Sequence, residues 1–139
     1  FGCASKRNAI DEVNLNETTP ITMPIVKVKA KIGELTGKTD PFTITALEIR
    51  GNLMYVDLEY SGGCEVHQFE VIGSQNIAKS LPPIRSIEII HDASGDKCRK
   101  VETVKLEIDI RDLAYKQEKG SEIYLKLDGY EEQIKYTYQ

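Results

Sequence analysis

Tryptophan is absent from this chain, phenylalanine occurs three times and methionine twice. Seven tyrosines carry most of the aromatic content, which argues against a deep aromatic ligand slot. No apolar run approaches the roughly 20 residues of a membrane-spanning helix. Neither sign of charge dominates. Eighteen basic residues against 22 acidic ones leave a net charge of −4, so nothing electrostatic points to nucleic acid or to an anionic membrane surface. A Gly-x-Ser-x-Gly elbow, a phosphate loop, a dinucleotide fingerprint and a His-Glu-x-x-His helix are all missing. No enzyme and no cofactor are expected from such a chain.

What is present suits one folded domain. A length of 139 residues with 40% apolar and 29% charged content is enough to bury a core. The first residues, Phe1-Gly2-Cys3-Ala4-Ser5-Lys6, place a glycine before a cysteine and small or polar residues after it, as at the end of a bacterial lipobox. Cys3 is therefore a candidate lipidation site. Phe1 departs from that pattern, and a free cysteine in a loose tail is the other reading. Residues 4–22 are polar and aperiodic. A tether is expected over 1–22 and a β-sandwich domain over 23–139.

From Pro24 onward, apolar residues recur at every second position. Val26, Val28, Ala30 and Ile32 alternate with Lys27, Lys29 and Lys31, one buried face against one wet face. Residues 43–49 and 53–60 flank Gly51-Asn52, a hairpin signal whose two central residues should both tolerate positive φ. Met54, Val56, Leu58 and Tyr60 then share a face, as do His67, Phe69 and Val71. Residues 73–80 suit a single helical turn before Leu81-Pro82-Pro83. Ile87 and Ile89 mark a strand. Val104, Leu106, Ile108 and Ile110 mark the clearest one, and residues 123–127 and 134–138 form a terminal hairpin about Asp128-Gly129. About eight short strands with turns between them indicate an all-β, Ig-like antiparallel β-sandwich.

Chemistry-bearing residues concentrate in two short segments. Tyr60-Ser61-Gly62-Gly63-Cys64-Glu65-Val66-His67-Gln68-Phe69 and His91-Asp92-Ala93-Ser94-Gly95-Asp96-Lys97-Cys98 hold both histidines and two of the three cysteines. Three readings compete. The first is a structural disulfide between Cys64 and Cys98, favoured if the protein matures outside the cytosol. The second is zinc on Cys64, His67, His91 and Cys98, although the second pair is wider than usual finger spacing. Both histidines also fall on the parity of apolar neighbours, where an imidazole is more often a core residue with its hydrogen on a carbonyl. The third is Cys64 as a nucleophile with a histidine base and donors from Gly62-Gly63, but no third orienting group is apparent. Asp92-Ala93-Ser94-Gly95-Asp96 resembles half a calcium loop without its later glutamate, and reads as a turn in which side chains cap their own backbone. Glu131-Glu132 reads as solvated charge.

The run Tyr60-Ser61-Gly62-Gly63-Cys64…His67…Phe69, then Pro82-Pro83, then His91-Asp92…Gly95-Asp96…Cys98, resembles uncharacterised β-sandwich lipoproteins of Bacteroidetes-type bacteria. The likeness covers roughly residues 43–113. It implies an envelope-located domain, a Cys64–Cys98 bridge and a lipid on Cys3, and it brings no activity. The expectation is a monomeric binding or structural module of the bacterial cell envelope, with an unknown envelope protein or glycan as partner. The membrane would be met only through the lipid. A metal-binding or hydrolytic protein using His67, His91, Cys64 and Cys98 is the alternative.

Overall fold

Alternating patterning becomes nine strands in the computed structural model, which describes residues 23–139. The expected tether over 1–22 and the Cys3 lipidation site lie outside the described residues. In chain order the strands are β1 (Ile25–Lys29), β2 (Lys31–Gly33), β3 (Thr43–Arg50), β4 (Leu53–Gly62), β5 (Gln68–Ala78), β6 (Ile84–Asp92), β7 (Lys100–Asp109), β8 (Glu122–Leu127) and β9 (Ile134–Thr137). A 3₁₀ turn at Arg111–Leu113 follows β7. One sheet runs β1-β7-β4-β3 and the other β2-β5-β6-β8-β9. Their inner faces supply the core, with Met54, Val56 and Leu58 of β4 and Leu106 and Ile108 of β7 facing Ile87, Ile89, Ile123 and Leu125.

The sandwich is all-β as expected, but its sheets are mixed rather than purely antiparallel. β1 pairs with β7, β2 with β5 and β6 with β8, all in parallel. Parallel partners need connections that cross between sheets, and period-two patterning carries no information about them. The first strand shows this well. Its alternation is continuous in sequence, yet fully buried Ala30 breaks it into β1 on one sheet and β2 on the other. The Ala30 N–H donates to the Asp109 carbonyl at 2.9 Å, which holds the crossing point.

Two further expectations are corrected. Residues 73–78 continue β5 rather than forming a helical turn, because the ladder with β6 resumes past an irregularity, at Ile77 with Arg85 and Ala78 with Ile84. In the β3–β4 hairpin only Gly51 has positive φ, 62°, which is the requirement of a turn with glycine at its first central position. Asn52 instead works through its side chain. Its Oδ1 accepts from the Tyr136 hydroxyl at 2.7 Å and from the Gln139 N–H at 3.0 Å, tying this turn to the C-terminal strand of the other sheet. Burial pushes the Tyr136 hydroxyl up to about 12, so it stays a donor.

Candidate functional site

At one end of the sandwich, β4, β5, β6 and β7 bring the two chemistry-bearing segments together. Cys64 follows β4 and Cys98 precedes β7. Their Cα atoms lie 5.8 Å apart and the sulfurs are joined as a disulfide, a separation ordinary for such bridges. Between them, Ser94 and Gly95 both take positive φ, 55° and 72°, and the Asp96 N–H closes the turn on the Ala93 carbonyl at 3.0 Å. The side chains cap it as expected. Asp92 Oδ1 accepts from the Ser94 N–H at 2.9 Å, and Asp96 Oδ1 from the Cys98 N–H at 2.9 Å.

This turn aims Asp96 inward. Its Oδ2 accepts from the Cys64 N–H at 3.1 Å, the Glu65 N–H at 3.0 Å and His67 Nε2 at 2.8 Å. Its side chain is fully covered and that of His67 is 3% exposed. The hydrogen bond from His67, then those from the three backbone N–H groups, hold the Asp96 carboxyl far below the usual carboxylate range against the opposing pull of burial. His67 Nδ1 in turn lies 2.7 Å from His91 Nε2, and His91 Nδ1 donates to the Pro41 carbonyl at 3.0 Å. The two rings are nearly coplanar, 22° apart, with centroids 4.9 Å apart. That separation exceeds the N···N distance by about two ring radii, so the hydrogen bond runs edge to edge through both ring centres.

Aromatic side chains enclose the pair. The Tyr60 ring centroid is 4.5 Å from His67 and 4.8 Å from His91, and Phe69 lies parallel to His91 at 4.9 Å. Gly62 explains why the fit depends on a missing side chain. A Cβ there would sit 2.7 Å from His67 Nε2 and 3.1 Å from Asp96 Oδ2, so the histidine ring occupies the space of that side chain. Residues 39–42 strap over the other side. The His91 N–H donates to Thr39 Oγ1 at 2.7 Å, and Asp40 Oδ2 accepts from the Ala93 N–H at 2.7 Å. An open depression of about 590 Å³ lies beside the strap, bordered by Phe42, Tyr60, His91 and Val101.

The structure brings all four expected residues to one end but separates their chemistry. The sulfurs bond each other. Asp96, rather than a histidine, joins them in the one potential cation cluster among the described residues, its carboxylate oxygen and the sulfurs lying within 4.8 Å of one another. Zinc on both cysteines and both histidines is therefore corrected, because the thiolates it needs are consumed. A Cys64 nucleophile fails for the same reason, although a third orienting group does exist. Asp96 was missed because its distance along the chain from His67 conceals their contact. A carboxylate within a turn signal, two residues before a cysteine, was the available clue.

No family model and no curated protein matches the chain. Among solved structures it is similar to a NigD-like immunity protein from Bacteroides caccae, with a TM-score of 0.61 and 18% identity over 80% of this chain and 58% of that one. What the two share is a fold. A protein of unknown function from Bacteroides vulgatus overlaps more loosely, with a TM-score of 0.48 and 14% identity over 84% of this chain and 58% of that chain. The chain thus spans less than two thirds of the length of either.

Proposed function

We propose that the chain is an extracytoplasmic, non-enzymatic binding module of the bacterial envelope, with its disulfide end as the recognition face. One observation carries the reading: the reactive groups are all engaged with one another. Both sulfurs are in a disulfide, all four imidazole nitrogens have partners within 3.0 Å, and the Asp96 carboxylate accepts hydrogen bonds on both oxygens. A catalytic imidazole works on a nucleophile with an unengaged thiol, hydroxyl or amine beside it. None of these groups offers one, and such a cluster serves to hold a surface in shape.

The bridge supports a site of action outside the cytosol. The B. caccae neighbour of the same fold is named an immunity protein; the partner proposed here is an envelope protein, and a lipid on Cys3 would hold the module at the membrane. Val66 and Val101, 77% and 66% exposed, are the most exposed large apolar side chains described at this end. The test is a photo-cross-linking amino acid at Val66 or Val101 in the chain produced in the envelope of a Bacteroidetes cell. The same adduct is expected from both positions and none from Leu81, which is fully exposed in the β5–β6 connection. Equal labelling from Leu81, or none from the valines, would contradict the assignment.

A further inference from the structure

Three hydrogen bonds run in series from Pro41 through His91 and His67 to Asp96, at 3.0, 2.7 and 2.8 Å. Each needs one proton, and two neutral imidazoles carry only two. Were there only two protons, one of these contacts would set two lone pairs face to face in a covered site, an expensive arrangement. The third proton rests on a ring or on the carboxyl group. Three backbone N–H groups already donate to Asp96, and such donors favour the carboxylate. The rings are left to hold it.

We propose that the histidine pair is a one-proton site, with an Asp96 carboxylate, a His67 imidazolium and a neutral His91, and that this proton latches the strap at residues 39–42 to the disulfide end. Burial, and then the charge on its neighbour, lower the His91 imidazole from its ordinary value, which makes His91 the neutral ring. Its Nδ1–H goes to Pro41 and its Nε2 accepts from His67. The Tyr60 face 4.5 Å from His67 suits a cation. The other ionisable groups around the pair are Asp40 on the strap, Glu59 and Tyr60 on β4, and Glu102 on β7, itself paired with Lys100. Farther out, Lys97 borders the depression on the His91 side, while Lys27, Glu70 and Asp92 border a second one on the His67 side. Carboxylates outnumber ammonium groups, which favours a positive charge between them.

Proton counting gives a distinctive pH profile. Unfolded, the two histidines bind two protons below about pH 6.5 and none above it. Folded, the pair binds one on both sides. Unfolding therefore takes up a proton on the acid side and releases one on the alkaline side, so the folding constant peaks near that pH. Two neutral rings would instead give a rise to a plateau, and two cationic rings a plateau followed by a fall.

The experiment is urea unfolding of the full chain at about pH 5.5, 6.5, 7.5 and 8.5, referenced to the double variant His67→Gln/His91→Gln so that other groups cancel. The wild-type advantage should be largest near pH 6.5 and fall nearly tenfold in folding constant between about pH 7.5 and 8.5. An advantage that stays level over that last interval overturns the proposal. Should the double variant not fold, imidazole nitrogen NMR of the wild type decides alone. The chain has two histidines, so every such signal reports this pair. Three protons over the four ring nitrogens at neutral pH are expected. Two protons, with two bare nitrogens, would overturn it.

Discussion

Two of the polar sites buried among the described residues, at Arg85 and at the histidine pair, solve the same problem differently. Arg85 on β6 is 5% exposed and, among the described residues, is held by carbonyls rather than by a carboxylate. Its guanidinium donates to the carbonyls of Leu113 at 2.9 Å, Ser74 at 2.6 Å and Ala114 at 3.4 Å. The histidine pair instead faces a carboxylate. Each site is backed by a glycine, since a Cβ at Gly73 would lie 2.5 Å from Leu113 Cδ2 and 3.0 Å from Arg85 Cδ. A guanidinium does not lose its proton in the working range and offers a fixed fork of donors, so backbone carbonyls satisfy it at any pH. Imidazoles titrate near neutrality, so their site ties geometry to proton count. The first site is a strut and the second is a latch.

Substitutions should pull the two apart. Removing the bridge with Cys64→Ala/Cys98→Ala should cost the most, about 3–4 kcal/mol for a loop of this length. It should also flatten the pH dependence, because the bridge frames the Asp96 turn. Denaturant unfolding across pH would show both effects. Arg85→Met should cost about 2–3 kcal/mol by stranding buried carbonyls. Its stability curve should stay parallel to that of the wild type from mildly acid to mildly alkaline pH, and a change of slope would erase the contrast between the sites.

The glycines sharpen it further. Gly62→Ala and Gly73→Ala should each cost about 1–3 kcal/mol through overpacking, but only Gly62→Ala should alter the pH profile, because only there does the new methyl part an imidazole from its carboxylate. The smallest effect belongs to the acid limb. Because the folded Asp96 carboxyl lies below its unfolded value, its contribution is complete above the ordinary carboxylate value of about 3.9 and fades as pH falls beneath it. The gap between wild type and Asp96→Asn should therefore narrow with acidification. A gap that widens would mean that the carboxylate is not the favoured form.

Much of this was legible before the fold was known, and for a physical reason. Alternation marks which face a strand buries, so Met54, Val56 and Leu58, or Ile123, Leu125 and Leu127, could be placed inward on sight. The same signal put His67 and His91 on inner faces. Alternation is silent about which strands become neighbours, so the parallel pairs and the sheet change at Ala30 were out of reach. Asp96 was misjudged for a related reason. Its turn chemistry could be read locally, whereas its partner His67 lies across a gap that only the β4–β7 ladder and the bridge close. Arg85 gave no signal at all, since a buried arginine held by carbonyls looks in sequence like any arginine on a strand.

The claim beneath the histidine site is that the polar groups at the disulfide end satisfy one another without a metal. The most direct test is the urea midpoint of wild-type protein, prepared without chelator or polyhistidine tag, measured before and after a strong chelator is added. The account predicts the same midpoint in both. A midpoint that collapses on chelation, with metal recovered in proportion to protein, would contradict it.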